Sequence, residues 1–451
     1  MSGLTDYYGF DLSTANAEAA AAFDLGARSF VAWRADAIGH LDAAIAADAD
    51  FPLPKILKAW ILHAGRTAKF DPMINELLTA VTPALADSPW RVRALAEGLQ
   101  VAHAGNLQAG AAVLEAYLAE EPLDLVAHRL LQFELFWCGE SQWMRDVVER
   151  AAPAWEETSP DFGHFLAVRS FSNEESGDYA TADATGREAI EREPKSAWGA
   201  HAIAHLLLMQ GRAEEGIEWL EGLCGGWGEA NQIKHHNWWH LCLFLLEKGE
   251  HERILHLLDT QVRNPESSLV QAVPDATIDI QNVASLLMRL ELRGVDVGGR
   301  WQSIADICAG RIHDHANPFT SAHDAMVLSA AGKFEMVSQL ADNMRAHGLA
   351  TASAVSNANR VLGVPLVEAM TAHRKREYTR VVDLLWPVRR DIYQVGGSHA
   401  QRDIFFQVLV HATMQAGRRQ QLAILLADIA GIGFEKVCAR TLYKDAAAMA
   451  T

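Results

Sequence analysis

Cysteine, proline and positive charge are all scarce in this sequence of 451 residues, which has 5 cysteines and 14 prolines. The cysteines are widely spaced and form no CxxC pair, so a disulfide framework is excluded and buried thiols in a reducing compartment are expected. They are Cys138, Cys224, Cys242, Cys308 and Cys438.

Acidic residues outnumber basic ones, and the formal net charge is −18. Nucleic acid and anionic membrane both need a basic face, so neither is an expected partner. No apolar run approaches the roughly 20 residues that span a bilayer, and the run LCLFLLEKG stops at Glu247. The first residues contain no basic segment followed by an apolar one, so we expect no signal peptide and a cytoplasmic protein. A homo-oligomer is compatible with the sequence, which does not define one.

Strand-like alternation is missing, whereas half of the residues are apolar and good helix formers dominate. These features predict an all-α fold with a large core. Residues 14–49 are expected to form one or two leading helices, capped by Ser13 or Thr14 and ended by Asp48–Pro54. We therefore predict an N-terminal helical segment over residues 1–50.

A periodic glycine dominates the rest of the chain. The clearest copies are separated by 34, 38, 34 and 38 residues, and a proline follows two of them after 17 residues. A glycine between two helices, with proline near the end of the second, is typical of a helical hairpin. The glycines are Gly105, Gly139, Gly177, Gly211 and Gly249, the prolines are Pro122 and Pro194, and weaker copies centre on Gly294, Gly332, Arg376 and Gly417.

A period of about 34 residues with this anatomy predicts tetratricopeptide-like repeats, in which stacked hairpins share a continuous core. Two intervals are longer than the period, and residues 265–278 and 348–365 are expected to add a loop or helix there. The predicted fold is an all-α, strongly curved solenoid of about ten helical hairpins, forming one continuous array over residues 51–451.

Histidines recur at matching places in these hairpins. His201 and His205 are four residues apart, as are His236 and His240, so each pair shares a helix face. Counted back from the turn glycines, seven histidines fall at offsets of 13, 10, 9 or 6 residues, which form a single helical stripe. They are His164, His201, His205, His236, His240, His323 and His411, whereas His103, His128 and His235 miss the stripe.

Several long motifs rich in Trp and His, among them SAWGAHAIAHLLLMQG (196–211), HNWWHLCLFLLEKGEHE (236–252), DHANPFTSAHDAM (314–326) and GGSHAQRDIFFQVLVHA (396–412), resemble those of the tetratricopeptide repeat protein 38 family. The resemblance covers nearly the whole chain and implies an all-α repeat fold with the stripe lining a concave groove. It implies no activity. The positions that match the family motifs are His201, His205, His236, Asn237, Trp239, His240, Asp314, His315, Phe319, His323, Gln401, Arg402, Asp403 and His411, whereas His164 and His399 depart from the pattern.

Two kinds of chemistry suit converging imidazoles. His201, His205, His236 and His240 are candidate ligands of a divalent transition metal such as zinc or iron, with Asp314 or Asp324 as a further ligand or orienting carboxylate. Alternatively, these four and His323 act as acid and base groups without a metal, oriented by Asp314 and Asp403. Either version predicts a small-molecule enzyme, most simply a hydrolase or lyase.

Ligand-binding positions are predicted around the same pocket. Trp239 is the expected apolar wall, and Arg402 the expected anion binder. The remaining candidates for substrate binding are Asn237, His315, Phe319, Gln401 and His411. The competing hypothesis is a scaffold without catalytic activity that binds a peptide or protein segment in its concave groove.

Overall fold

The computed structural model describes residues 3–431 and 440–450, and Cys438 lies outside this range. Within the described residues the chain forms helices and two isolated β-bridges, Thr5–Asp11 and Arg34–Ala230, but no strand. The all-α prediction is therefore confirmed. No described helix is both long enough and apolar enough to cross a membrane.

The chain divides into two compact units. The first contains Met1–Ile203 and Gly225–Lys234, and the second contains Ala204–Cys224 and His235–Thr451. The helices of the first unit are α1 (Ala17–Val31), α2 (Ala37–Ala47), α3 (Pro52–Ala64), α4 (Asp71–Val81), α5 (Trp90–His103), α6 (Leu107–Glu120), α7 (Leu125–Cys138), α8 (Ser141–Ala151), α9 (Phe162–Glu175) and α10 (Tyr179–Arg192). Helices α11 (Ala197–Met209) and α13 (Ile233–Lys248) have residues in both units.

The second unit contains the remaining helices. They are α12 (Ala213–Leu223), α14 (His251–Leu257), α15 (Ser268–Ala272), α16 (Thr277–Glu291), α17 (Gln302–Ala309), α18 (Pro318–Ala330), α19 (Phe334–Ala350), α20 (Ala354–Ala358), α21 (Val364–Arg374), α22 (Tyr378–Leu385), α23 (His399–Gln415), α24 (Arg419–Gly431) and α25 (Thr441–Ala450). Short 3-10 or π turns cover Ala68–Phe70, Thr82–Asp87, Ala152–Ala154, Cys224–Gly226, Leu258–Val262, Gly298–Trp301, Asn359–Gly363 and Ile392–Val395.

The residues predicted to form the turns within the hairpins, or to end their second helices, lie at those places. All eight predicted glycines have positive φ, from 67° to 88°, and each follows a helix closely. Arg376 occupies the equivalent turn with a φ of 59°, a conformation that is costly for a residue with a side chain. Pro122 and Pro194 lie two residues beyond α6 and α10. The two longer intervals contain α15 and α20, as expected.

One detail of the leading segment was wrong. Helix α1 begins at Ala17, and its cap is Asn16, whose side chain accepts from the backbone N–H groups of Glu18 and Ala19. The predicted cap Thr14 instead accepts from the backbone N–H of Asn16 and donates to Asp48. Asn ranks with Ser and Asp as an N-cap residue, so residue type alone could not choose among the neighbours.

Hairpin partners pack together in each unit, as in the pairs α5 with α6, α9 with α10 and α21 with α22. In the second unit the first helices of successive hairpins also touch: α16 packs on α18, α18 on α21, and α21 on α23. Helix α16 also contacts α23, which closes a ring of four helices. Helices α16, α18 and α23 are buried on nearly every face, polar residues included. The continuous tetratricopeptide-like solenoid and its strong curvature stay predictions.

Candidate metal centre

Three buried histidines come together in the second unit. His205 on α11 is 0% exposed, as is His240 on α13, and His236 is 3% exposed. One ring nitrogen from each of the three lies within 4.8 Å of the others. The His240 ring centroid is 4.5 Å from that of His205 and 4.8 Å from that of His236. The predicted convergence of imidazoles from two helices is therefore present, and this group could hold a metal ion.

The helical period explains the arrangement on each helix. His236 and His240 lie one turn apart on α13, so both rings project from the same side of that helix. His201 lies one turn before His205 on α11 and shares its face. Its own ring stacks on Trp198 at 4.5 Å and on Phe171 at 5.5 Å between centroids. Helix α11 thus presents two buried imidazoles in sequence.

Helix α16 supplies the groups that orient α13. Nδ1 of His236 lies 2.8 Å from Oδ1 of Asn282, and since that oxygen only accepts, Nδ1 donates and the lone pair of the ring is on Nε2. Trp239 donates from Nε1 to Ser285 at 3.0 Å and stacks on His236 at 4.8 Å with an interplanar angle of 12°. These contacts fix the His236 ring in one orientation and one tautomer.

Burial keeps His236 uncharged. Desolvation lowers the pKa of His236 to about 3, with a smaller contribution from His205 and an opposing one from the hydrogen bond to Asn282. At neutral pH the ring is therefore in the form that binds metals.

His235 shows why the neighbouring position differs. Its ring, one residue before His236, hydrogen-bonds through Nδ1 to Oδ1 of Asp279 at 3.0 Å. His235 points away from the face of His236, because a step of one residue turns the side chain by about 100° around the helix.

His323 lies elsewhere in the second unit. Its Nδ1 donates to the carbonyl of Phe319, one turn earlier on α18, at 2.8 Å, and its ring contacts those of Phe319 and Phe405. Burial lowers the pKa of His323 to about 4. Among the described residues, the groups of ligand atoms within 4.8 Å of one another do not include His323.

The predicted carboxylates have partners of their own. Asp403, expected to orient an imidazole, instead accepts hydrogen bonds from Gln407, Arg440 and Tyr443. This network ties α25 to α23, which is a structural role. Asp314 lies in the loop before α18, where it accepts from the backbone N–H of Ala316.

Asp324 has the most unusual carboxyl group of the predicted set. Burial raises its pKa to about 6, and Cys308 hydrogen-bonds to it while Arg311 approaches to 3.8 Å. Asp324 therefore interacts with a thiol and a guanidinium. The sequence predicted that it would bind a metal ion or orient an imidazole.

The predicted ligand-binding residues of α23 mainly shape the start of that helix. Gln401 forms a capping box with Ser398, and Arg402 donates to the carbonyl of Gly397 and contacts Nδ1 of His399 at 3.2 Å. His411, near the other end of the helix, has Nδ1 3.0 Å from Nε2 of His373. These residues are therefore placed in three separate local contacts.

The remaining candidates are dispersed. The ring of His315 lies 4.9 Å from that of His347, and the ring of Phe319 packs against Phe405. Asn237 is completely buried on α13. Trp239, predicted to form an exposed wall, is only 1% exposed. Its ring stacks on His236, as described above.

The thiols mostly follow the prediction. Cys138, Cys242 and Cys308 are buried, and burial raises the pKa of the Cys242 thiol. Cys224 is partly exposed, which corrects the expectation for that residue. The prediction for Cys438 falls outside the described residues.

Sequence reasoning missed the polar partners on α16, namely Asn282 and Ser285. Their signal was weak, because isolated polar residues in a helical pattern usually face solvent. It also missed Glu174 and Glu175, adjacent carboxylates that are 1% and 4% exposed at the end of α9. No protein-family model matches the chain.

Proposed function

We propose that the protein is a metal-dependent enzyme of the hydrolase or lyase type that acts on a small molecule. His205, His236 and His240 would bind the ion and would leave one of its coordination positions open. The carrying observation is that one nitrogen from each of the three rings lies within 4.8 Å of the others in a buried setting.

The donor set suits a divalent transition metal. In tetrahedral zinc sites with Zn–N bonds of about 2.0–2.1 Å, ligand nitrogens lie about 3.3 Å apart, so small ring movements would complete the site. Three neutral imidazoles with an open position would let the ion activate a bound water near neutral pH. Asn282 would act as the outer partner that holds the His236 tautomer, as is usual for metal-ligating histidines.

A metal centre is better supported than metal-free acid–base catalysis. A general acid or base works best when its pKa lies near the working pH. The pKa of His236 is about 3, so this ring stays neutral through the physiological range. The alternative of a peptide-binding scaffold receives less support, because the side chains of the three histidines are at most 3% exposed.

The fold, the family and the cellular location of the protein are part of the same proposal. We infer a tetratricopeptide-like solenoid related to the tetratricopeptide repeat protein 38 family, located in the cytoplasm. The positive φ of the eight turn glycines and the direct packing of α16 on α18 and of α18 on α21 support the repeat arrangement.

Metal analysis of the purified protein tests the site. The expected result is about one transition-metal ion per chain, lost in a His205→Ala/His236→Ala double variant that keeps its helical circular dichroism. The matched control is His235→Asn. His235 precedes His236 on α13, but its ring binds Asp279, and Asn can retain that hydrogen bond.

The control should retain its metal. Wild-type protein that stays metal-free after exposure to zinc, iron(II), cobalt and manganese, or a double variant that binds as much metal as the control, would refute the metal centre. Hydrolase or lyase activity that survives in the double variant would separately refute the catalytic assignment.

A further inference from the structure

Arg129 on α7 is a buried cation for which the described residues provide no counter-charge. The residue is 2% exposed, whereas the buried residues Arg66 and Arg91 pair with carboxylates. Within residues 3–431 and 440–450, its guanidinium forms no salt bridge and its Nε has no hydrogen-bond partner. Burial lowers the pKa of Arg129 to about 9, so the side chain is still charged at neutral pH. A buried charge of this kind is costly unless something compensates it.

Two tryptophans surround this guanidinium. The Arg129 Cζ lies 4.2 Å from the ring centroid of Trp33 and 5.1 Å from that of Trp198, and the two indoles stack on each other at 4.6 Å. Each indole Nε1 is buried, and neither has a hydrogen-bond partner among the described residues. The three adjoining groups therefore offer only donors, and a ligand that satisfies them must supply acceptors.

The backbone holds Trp33 in an unusual conformation. Its φ is 57°, which is strained for a bulky side chain. The following loop is held in place, because the backbone N–H of Ala35 donates to the backbone carbonyl of Glu229 and that of Asn231 donates to the carbonyl of Trp33. The hydrogen bonds of this loop therefore hold the indole against Arg129, although the backbone conformation of Trp33 is itself unfavourable.

Apolar rings complete the surroundings. Phe30 lies 5.7 Å from the Arg129 Cζ, and Phe133 packs 5.4 Å from Trp33. These residues all belong to the first unit, as does His164, whose pKa is lowered to about 4 by burial, with a smaller contribution from Arg129. We propose that Arg129, Trp33 and Trp198 form a binding site for the carboxylate of a small organic acid with a flat, apolar body.

Charge balance favours a carboxylate over a phosphate. One guanidinium is matched by one negative charge, and its planar fork can bind both oxygens of a carboxylate. A phosphate dianion would leave a second charge uncompensated in an apolar setting. The indole donors and the aromatic walls would then contact the oxygens and the body of the acid. Arg129, Trp33 and Trp198 are not proposed metal ligands, so a metal-free protein would retain this site.

Isothermal titration calorimetry on the full chain tests the site. The probes are benzoate, the neutral analogue benzamide, and inorganic phosphate. Benzoate should bind, Arg129→Met should weaken its binding at least tenfold, and Trp33→Phe, which removes one donor, should weaken it severalfold. Benzamide and phosphate should bind at least tenfold more weakly than benzoate.

Thermal unfolding separates a binding role from a structural one. Arg129→Met removes an uncompensated charge, so its Tm should equal or exceed that of the wild type. The matched control is Arg91→Met, at a buried arginine that pairs with Asp6 and Asp124, and its Tm should fall.

The proposal is overturned if wild-type protein does not bind benzoate, or if both Arg129→Met and Trp33→Phe bind it as tightly as the wild type. Phosphate or benzamide binding that matches benzoate and depends on Arg129 would equally reject a carboxylate site. So would a loss of Tm in Arg129→Met comparable to that in Arg91→Met.

Discussion

At the scale of single residues, His128 shows how a buried imidazole makes stability depend on pH. His128 is 2% exposed, its Nε2 lies 2.9 Å from the carbonyl of Pro122, and its ring packs edge-on against Trp155 and Phe165. Burial lowers the pKa of His128 to about 4. The unfolded chain therefore takes up a proton here below about pH 6.5, whereas the folded chain does so only near pH 4.

The free energy of unfolding should accordingly fall as the pH drops from about 6.5 to about 4, and His128 should contribute about 3 kcal/mol to that loss. His128→Phe should remove this contribution, so the difference in stability between pH 7 and pH 4 shrinks by about that amount. The Pro122 carbonyl keeps a donor in the variant, because Nε1 of Trp155 also donates to it. Urea denaturation at a series of pH values measures the effect, and parallel profiles for the two proteins would contradict it.

The positions of residues that are needed for one particular backbone conformation could be predicted from the sequence. The eight turn glycines adopt positive φ because only glycine does so without strain, and the spacing even indicated the turn at Arg376. The constellation of Arg129, Trp33 and Trp198 was not predictable. Those residues are distant in the sequence, and an arginine is usually exposed or paired, so nothing local indicates burial without a partner.

At the scale of elements, the pair α12 and α13 depends on one glycine. A Cβ built on Gly216 of α12 would overlap the ring of Phe244 on α13, which is 1% exposed. Gly216→Ala should therefore push the helices apart or displace the ring, at a cost of about 1–3 kcal/mol. Chemical denaturation followed by circular dichroism would show a lower midpoint.

Gly222 provides the control on the same helix. No described atom lies within 4 Å of a Cβ built there. Gly222→Ala should leave stability unchanged or raise it by up to about 1 kcal/mol, because alanine is the better helix former and restricts the unfolded chain. If the two alanine variants shift the midpoint equally, close packing at Gly216 is not what the glycine provides.

Element boundaries and partners were harder to predict than the elements themselves. The His236–His240 pair on α13 followed from the helical period, and so did its shared face. The period does not say which neighbour that face meets, so Asn282 and Ser285 of α16 went unnoticed. For the same reason, the sequence did not show that Gln401 forms a capping box with Ser398 or that Asp403 accepts a hydrogen bond from Tyr443.

At the scale of the whole molecule, the described residues of each unit contain the same local arrangement. A tryptophan ring contacts both a buried guanidinium and a stacked, buried imidazole. The two sets are Arg129, Trp198 and His201 in the first unit and Arg289, Trp239 and His236 in the second. In the second set, burial lowers the pKa of His236 and so favours the neutral, metal-binding form of the ring.

If the histidine group binds a metal only in the folded state, the ion must stabilise the whole fold by mass action. Above the dissociation constant, each tenfold rise in free metal should add about 1.4 kcal/mol to the free energy of unfolding, which is a Tm increase on the order of 2 °C. Differential scanning fluorimetry of chelator-treated protein in buffered zinc or iron(II) measures this slope. His235→Asn should show the wild-type slope, whereas His205→Ala/His236→Ala should show none. The double variant differs from the wild type only in the imidazoles of His205 and His236. If its slope equals that of the wild type, the metal binds at other residues.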